Sequence, residues 1–298
     1  MGRSRRKGRA VNGILLLDKP AGCSSNHALQ QARRLLDARK AGHTGTLDPF
    51  ATGLLPLVFG EATKFSRFML DSSKAYRAVA ELGRATTTGD VEGETRQQQV
   101  VPKLDPQSVE QALEQFRGDI QQIPPMYSAL KQQGKRLYEL ARQGVEVERE
   151  PRDVCIHSLE LVDQGADWLE LQVYCSKGTY IRTLVEDLAE ALGTVACTRS
   201  LRRTRVGGFD LDQAVTLEQL EATDDREGLL LPLDAGLQDL PAMTLEAVSA
   251  QTMVHGQPVS VALEDAEAIR LYDPKGVFIG VGRSRNGTLT AQRLVASR

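Results

Sequence analysis

Gly42-His43-Thr44-Gly45-Thr46-Leu47-Asp48-Pro49-Phe50-Ala51-Thr52-Gly53 runs directly into Leu54-Leu55-Pro56-Leu57-Val58-Phe59. The first part is polar and bounded by glycines, so it reads as a loop; the second is a short apolar run and reads as a buried strand. The loop holds one carboxylate, Asp48. Pro49 fixes its own φ and biases Asp48 away from the helical region, which presents the carboxylate outward, and Gly45 and Gly53 let backbone or a ligand approach closely. An Asp before Pro, among Thr and Gly, is also an ordinary turn or cap former. Taken alone, the pattern leaves a catalytic and a structural Asp48 both open.

On the N-terminal side, residues 13–20 are a second apolar run closed by Asp18-Lys19-Pro20, another buried strand. Ser24, Ser25 and Asn26 offer N-cap oxygens to a helix over 26–38, with Leu29, Ala32, Leu35 and Leu36 at helical spacing. On the C-terminal side a short helix is predicted over 63–70. Residues 76–82 alternate in the period of a strand with one apolar face, and 83–94 read as loop. Helices follow at 109–116 and 137–143, strands at 154–162 and 168–175, and an amphipathic helix at 181–192 ended by Gly193. This interspersion predicts an α+β fold around one central mixed or antiparallel sheet. A helix over 245–253 and brief strands at 268–272, 277–281 and 289–294 predict a small β-rich appendage. The expected division is a basic flexible arm at 1–10, a main domain at 11–244 and the appendage at 245–298.

Composition is that of a globular chain: 41% hydrophobic and 26% charged over 298 residues. The 37 basic and 39 acidic residues sum to −2, which argues against a tail-driven polyanion binder. The distribution is uneven. Arg3, Arg5, Arg6, Lys7 and Arg9 form one acid-free basic stretch, and Arg199, Arg202, Arg203 and Arg205 another, while 210–227 carries seven acids against Arg226. Segregation of this kind permits a local phosphate-binding face. Cys23, Cys155, Cys175 and Cys197 form no CxxC pair and read as buried free thiols of a reducing compartment. No apolar run approaches the ~20 residues of a membrane span, and the run after Gly13 is too short for a signal peptide. A cytoplasmic protein is expected. There is no phosphate loop, dinucleotide fingerprint or ligand-spaced His/Cys cluster, so neither metal nor cofactor is expected.

The segment from Gly42 to Gly53 resembles the signature of TruB-type pseudouridine synthases, in which the Asp of the Thr46-Leu47-Asp48-Pro49 core is the nucleophile. Further blocks resemble the family in the same order: Asp18-Lys19-Pro20-Ala21-Gly22-Cys23-Ser24-Ser25, Lys74-Ala75-Tyr76, residues 124–131, Ser176-Lys177-Gly178-Thr179-Tyr180-Ile181-Arg182 and Leu201-Arg202-Arg203-Thr204. The resemblance implies the pseudouridine synthase fold with a truncated PUA-like RNA-binding module at the C-terminus. It implies cofactor-free isomerisation of uridine to pseudouridine at position 55 in the T-arm of tRNA. The partner implied is tRNA alone, bound by a monomer with no obligate protein partner and no membrane.

Such an enzyme must flip a stacked base into a pocket at a cost of a few kcal/mol, which aromatic stacking offsets by ~1–3 kcal/mol per base. Tyr76 and Tyr180 suit that role, with Tyr76 a further candidate for the closing proton transfer; each also reads as an ordinary half-buried core tyrosine. Arg182 is the candidate partner of Asp48, since a guanidinium opposes the desolvation that would otherwise neutralise a pocket carboxylate. The resemblance places His43 near the flipped base, Lys19 in support of the pocket or the substrate backbone, and Leu201 as a pocket wall. Arg202 belongs to an expected RNA face built from the Arg199–Arg205 cluster and the basic arm. Two other classes compete: a non-catalytic tRNA-binding protein or folding chaperone on the same scaffold, and an aspartyl-nucleophile phosphohydrolase. The second needs a neighbouring Asp for Mg²⁺, which the motif lacks.

Overall fold

The computed structural model describes residues 8–132 and 134–296. Of the expected basic arm, Arg3, Arg5, Arg6 and Lys7 lie outside the described residues. Arg9 is not part of a free arm: its guanidinium pairs with Glu227 at 2.7 Å, and its backbone bridges Ala38.

A nine-stranded mixed sheet carries the chain, in the order Gly13–Lys19, Thr52–Phe59, Ala196–Val206, Lys74–Leu82, Trp168–Cys175, Arg152–Gln164, Gly118–Gln122, with Ala41–His43 paired to Thr52–Phe59 and Phe209–Asp210 to Ala196–Val206. All pairings are antiparallel except Thr52–Phe59 with Ala196–Val206, which run parallel through Arg202↔Thr52 and Arg203↔Gly53. Strands Gly13–Lys19 and Thr52–Phe59 are continuous apolar runs because both their faces are covered. Leu15, Leu17, Leu55 and Leu57 pack on Ala28, Leu29 and Ala32 of helix Ser25–Leu35, while Ile14, Leu16, Leu54 and Val58 pack on Met69, Val206 and Phe209. Strand Lys74–Leu82 alternates because one face is covered. Tyr76, Ala78, Ala80 and Leu82 join Val109 and Leu113 of helix Pro106–Glu114 and Leu184, Val185 and Leu188 of helix Ile181–Ala191, and Arg77 faces solvent.

Helix Ser25–Leu35 is capped by Ser24, whose hydroxyl accepts from the His27 N–H at 3.1 Å. Several predicted elements shift. The loop over 42–53 opens inside a short strand, Ala41–His43, and closes inside another that starts at Thr52. The expected helix at 63–70 is a 3-10 turn, Gly60–Lys64, and a short helix, Ser66–Asp71. The loop expected over 83–94 opens with strand Arg84–Thr86, hairpinned to Thr95–Gln98; its polar residues carry no apolar alternation to reveal it. The cysteines are free, but only Cys175 and Cys197 are buried.

A second, five-stranded sheet orders Ala242–Thr244, Ala266–Tyr272, Phe278–Arg285, Thr288–Leu294 and Val259–Ser260, with helix Ala247–Val254 against it. It takes in Ala242–Thr244, ahead of the boundary expected at 245. Phe65, Leu237 and Val281 are buried together where this sheet meets the main body, Phe65 and Phe278 stack edge-on at 5.2 Å, and the Tyr272 hydroxyl donates to Asp234 Oδ2 at 2.6 Å.

Candidate active site

The Asp48 loop is pinned on both sides of the carboxylate. Ahead of it, the buried Ser25 hydroxyl accepts from the Leu47 N–H at 2.8 Å and donates to the Leu47 carbonyl at 3.0 Å, while the Leu47 side chain enters the core. Behind it, the Pro49 carbonyl accepts from the Gly22 N–H at 2.9 Å and from Lys19 Nζ at 3.3 Å. The fully buried Lys19 ammonium also donates to the carbonyls of Pro20 and Cys23, at 2.7 and 2.8 Å. Lys19 is thus a buried latch between two loops. Asp48 has a third of its side chain open.

Opposite stands Arg182 in the first turn of helix Ile181–Ala191, where the helix dipole disfavours a cation. Its backbone is set by Gln122, whose buried amide takes both the N–H and the carbonyl of Tyr180, at 3.0 and 3.3 Å. Arg182 is 4% exposed, and each nitrogen of its guanidinium has a partner. Nε meets Asp48 Oδ2 at 2.9 Å, Nη1 faces Asp90 Oδ2 at 3.6 Å and donates to the Thr88 carbonyl, and Nη2 donates to the Tyr127 carbonyl at 2.7 Å. Burial pushes the Asp48 carboxyl above the ordinary carboxylate range, and the neighbouring Arg182 charge opposes that. Asp90 is buried, and its Oδ1 accepts from the Thr88 hydroxyl at 2.6 Å and the Glu92 N–H at 3.1 Å.

Asp48 and Arg182 open onto a cavity of about 860 Å³, which His43 also lines. Burial holds the half-buried His43 ring below its ordinary pKa, and its Nδ1 has no partner among the described residues. The other expected residues lie elsewhere. Tyr76 and Leu201 are core residues, packed with Leu47 and Ala51 outside the cavity lining. Tyr180 is a half-buried residue at the helix N-cap, also outside the lining. Arg202 donates to Asp18 Oδ2 at 2.6 Å and the Thr52 hydroxyl at 3.2 Å. Arg203, expected on an RNA face, is 1% exposed and belongs to the interior.

The aromatics at the cavity are Tyr127 and Tyr138, and Tyr138 lies between the guanidinium groups of Arg136 and Arg142, at 5.8 and 5.6 Å. Sequence reasoning assigned none of these a role; the interleaving of Lys131, Lys135, Arg136, Tyr138 and Arg142 was the available signal. Asp90 was missed as well, inside the polar run Thr86-Thr87-Thr88-Gly89-Asp90. It is the second carboxylate that the phosphohydrolase reading required. Arg182 occupies the space between the two carboxylates, however, and no group of three metal-ligating side chains exists among the described residues. The donor set suits a guanidinium and does not suit Mg²⁺.

Comparison with known proteins bears on this arrangement. The family model described as TruB family pseudouridylate synthase (N terminal domain) matches residues 33–181. The tRNA pseudouridylate synthase B C-terminal domain matches 182–238, and the C-terminal domain of pseudouridine synthase II TruB matches 241–295. Similar curated proteins include tRNA pseudouridine synthase B of Pseudomonas fluorescens (strain Pf0-1), 52% identical over 307 residues with all of both chains covered. The protein of that name from Aromatoleum aromaticum is 52% identical over 296 residues, covering 98% of this chain and 96% of its own. Among solved structures, an H/ACA RNP bound to a substrate RNA containing 2'-deoxyuridine aligns with TM-score 0.75 at 19% identity, covering 100% of this chain and 92% of that one. A Cbf5-Nop10-Gar1 complex aligns with TM-score 0.73 at 21% identity, covering 97% and 85%. At these identities the structures speak to the fold alone.

Proposed function

The chain belongs to the TruB family of pseudouridylate synthases, and on that footing we propose that it converts uridine to pseudouridine at position 55 in the T-arm of tRNA. The observation that carries the reading is the Asp48 carboxylate, open to an 860 Å³ cavity and fixed at 2.9 Å on a buried guanidinium. That arrangement keeps a desolvated carboxylate ionised and aimed, which a nucleophile needs and a pure binder does not. Asp48 attacks the flipped nucleotide and the bond from the base nitrogen to the ribose breaks; the freed base turns within the cavity, its carbon 5 bonds to the ribose as the Asp48 carboxylate is released, and carbon 5 then loses its proton. Arg182 orients Asp48 and sustains its charge, and Asp90 anchors Arg182 from the far side. His43 borders the base. Tyr138, with the Arg136 and Arg142 guanidinium groups over its ring, gives the cavity rim cations that can meet RNA phosphates. Tyr76, behind the Asp48 loop, is the acid–base candidate for the closing proton transfer. Tyr180 and Leu201 back the pocket, and Arg202 braces its rim through Asp18. The reading takes the protein to work in the cytoplasm as a monomer; no helix among the described residues is long and apolar enough to cross a membrane.

Asp48→Asn is the test, since it keeps shape and removes the anion. Single-turnover pseudouridine formation on an unmodified tRNA should fall by at least about a thousandfold, with tRNA affinity by filter binding changed less than about threefold. A transcript with cytidine at position 55 should gain no pseudouridine. Activity within tenfold of wild type would remove Asp48 from the chemistry and leave the chaperone reading standing.

A further inference from the structure

Arg203 is the largest fully buried side chain of the described chain, and it has no counter-charge. Its strand neighbours Arg202 and Arg205 pair with Asp18 and Asp210. Arg203 has no carboxylate within 4.0 Å among the described residues. Its Nε donates to the Leu54 carbonyl at 2.7 Å and Nη2 to the Gly45 carbonyl at 3.2 Å, so one guanidinium joins the strand after the Asp48 loop to a residue within it. A Cβ on Gly45 would stand 3.4 Å from Nη1 and 3.7 Å from Lys74 Cε, which places two cations behind that glycine. Lys74 is buried too and spends its ammonium on the Leu70 and Ser72 carbonyls. Burial draws its pKa down to about 8, so Lys74 can shed its proton while Arg203 cannot.

An uncompensated buried cation is costly, and an apolar side chain would fill the same volume without that cost. The charge therefore calls for a use. In the sheet register Arg203 faces Tyr76 directly across the two strands, and both side chains are buried. We propose that Arg203 is a positioning residue for pseudouridine formation, whose unpaired guanidinium holds the Tyr76 phenol in place for the closing proton transfer. The proposal rests on the reading of the reaction given above. Arg203 touches no part of the cavity and acts only through Tyr76. A phenol that takes the carbon 5 proton must pass its own proton on, to the released Asp48 carboxylate, and burial opposes the negative charge it carries in between. A fixed cation at the facing register position counters that opposition from outside the cavity.

The experiment compares Arg203→Met and Arg203→Lys, each alone and combined with Tyr76→Phe, by single-turnover pseudouridine formation, tRNA binding and thermal melting. Arg203→Met should slow the single-turnover rate at least about a hundredfold while tRNA affinity stays within about threefold. Arg203→Lys should recover part of the rate, because its ammonium keeps the charge but reaches fewer carbonyls. In the Tyr76→Phe background, where the hydroxyl is gone, the loss caused by Arg203→Met should shrink at least about tenfold. Losses that multiply across the two positions, or rate and affinity falling together, would overturn the proposal and reduce Arg203 to a structural tie. If Arg203→Met does not fold, Arg203→Lys in the two backgrounds carries the same comparison. A wild-type chain that forms no pseudouridine would overturn the reading of the reaction instead, and the proposal with it.

Discussion

Arg182 serves two carboxylates at once, and its contact with Asp48 sets how that carboxylate responds to pH. Burial raises the Asp48 pKa and Arg182 opposes the rise. The ionised form is the reactive one, so activity is lost as pH falls through the folded-state pKa of Asp48. Charging Asp48 costs folding stability above that pKa, and the cost is relieved below it. Replacing Arg182 with Gln removes the main charge that opposes burial and leaves Asp48 facing the like charge of Asp90. The acid limb of the single-turnover rate profile should therefore move to higher pH, measured from about pH 5 to 9. A limb that stays in place would show that Arg182 orients Asp48 without sustaining its charge. Lys74 follows the opposite course: with its pKa lowered to about 8, its cost to stability is present at low pH and fades as pH rises from there toward its ordinary 10.5.

At the scale of elements, the junction between strands Thr52–Phe59 and Ala196–Val206 joins the two halves of the sheet, and it exists because residue 53 is glycine. Gly53 has φ +102°, and a Cβ there would lie 2.3 Å from the Arg203 carbonyl oxygen and 2.7 Å from its nitrogen, both backbone atoms. Gly53→Ala should cost more than about 3 kcal/mol in thermal or denaturant unfolding. Gly22→Ala, at φ +78° with nothing within 4 Å, should cost only the left-handed strain of ~1–2 kcal/mol. Equal losses at the two glycines would deny the close approach its importance. These elements also show what sequence could reveal. Apolar runs such as Leu54 to Phe59, the alternation from Tyr76 to Leu82 and the 181–192 helix were visible because burial imposes a period on them. The strand Arg84–Thr86 was not, since it and its partner Thr95–Gln98 are mostly polar and carry no apolar alternation. The Asp48–Arg182 contact was legible through the family resemblance, but Asp90, Tyr138 and the burial of Arg203 were not. Asp90 and Arg203 depend on which residues of distant segments meet, which nothing local encodes, whereas Tyr138 had only the basic residues interleaved around it as a signal.

For the whole molecule, the second sheet is held by apolar contact as well as by polar bonds. Phe65, Leu237 and Val281 are buried together at the join, with Phe278 against Phe65. A chain cut after residue 241 uncovers Phe65 and Leu237, so it should melt lower than the full chain and bind a hydrophobic dye; loss of tRNA affinity in that truncation would report partly on folding. An unchanged melting temperature would show two independent units. Glu61 has a further bearing. Its N–H donates to Asn12 Oδ1 at 2.8 Å, and its Oε2 accepts from the Ala296 N–H at 2.6 Å. Segments from opposite ends of the described chain thus meet at a single residue, one on its backbone and one on its side chain, and the backbone is nearly a closed ring. Circular permutation follows from this: a few added residues could join 296 to 12, and the ring could be reopened in the exposed stretch around 146–150 with every strand of both sheets intact.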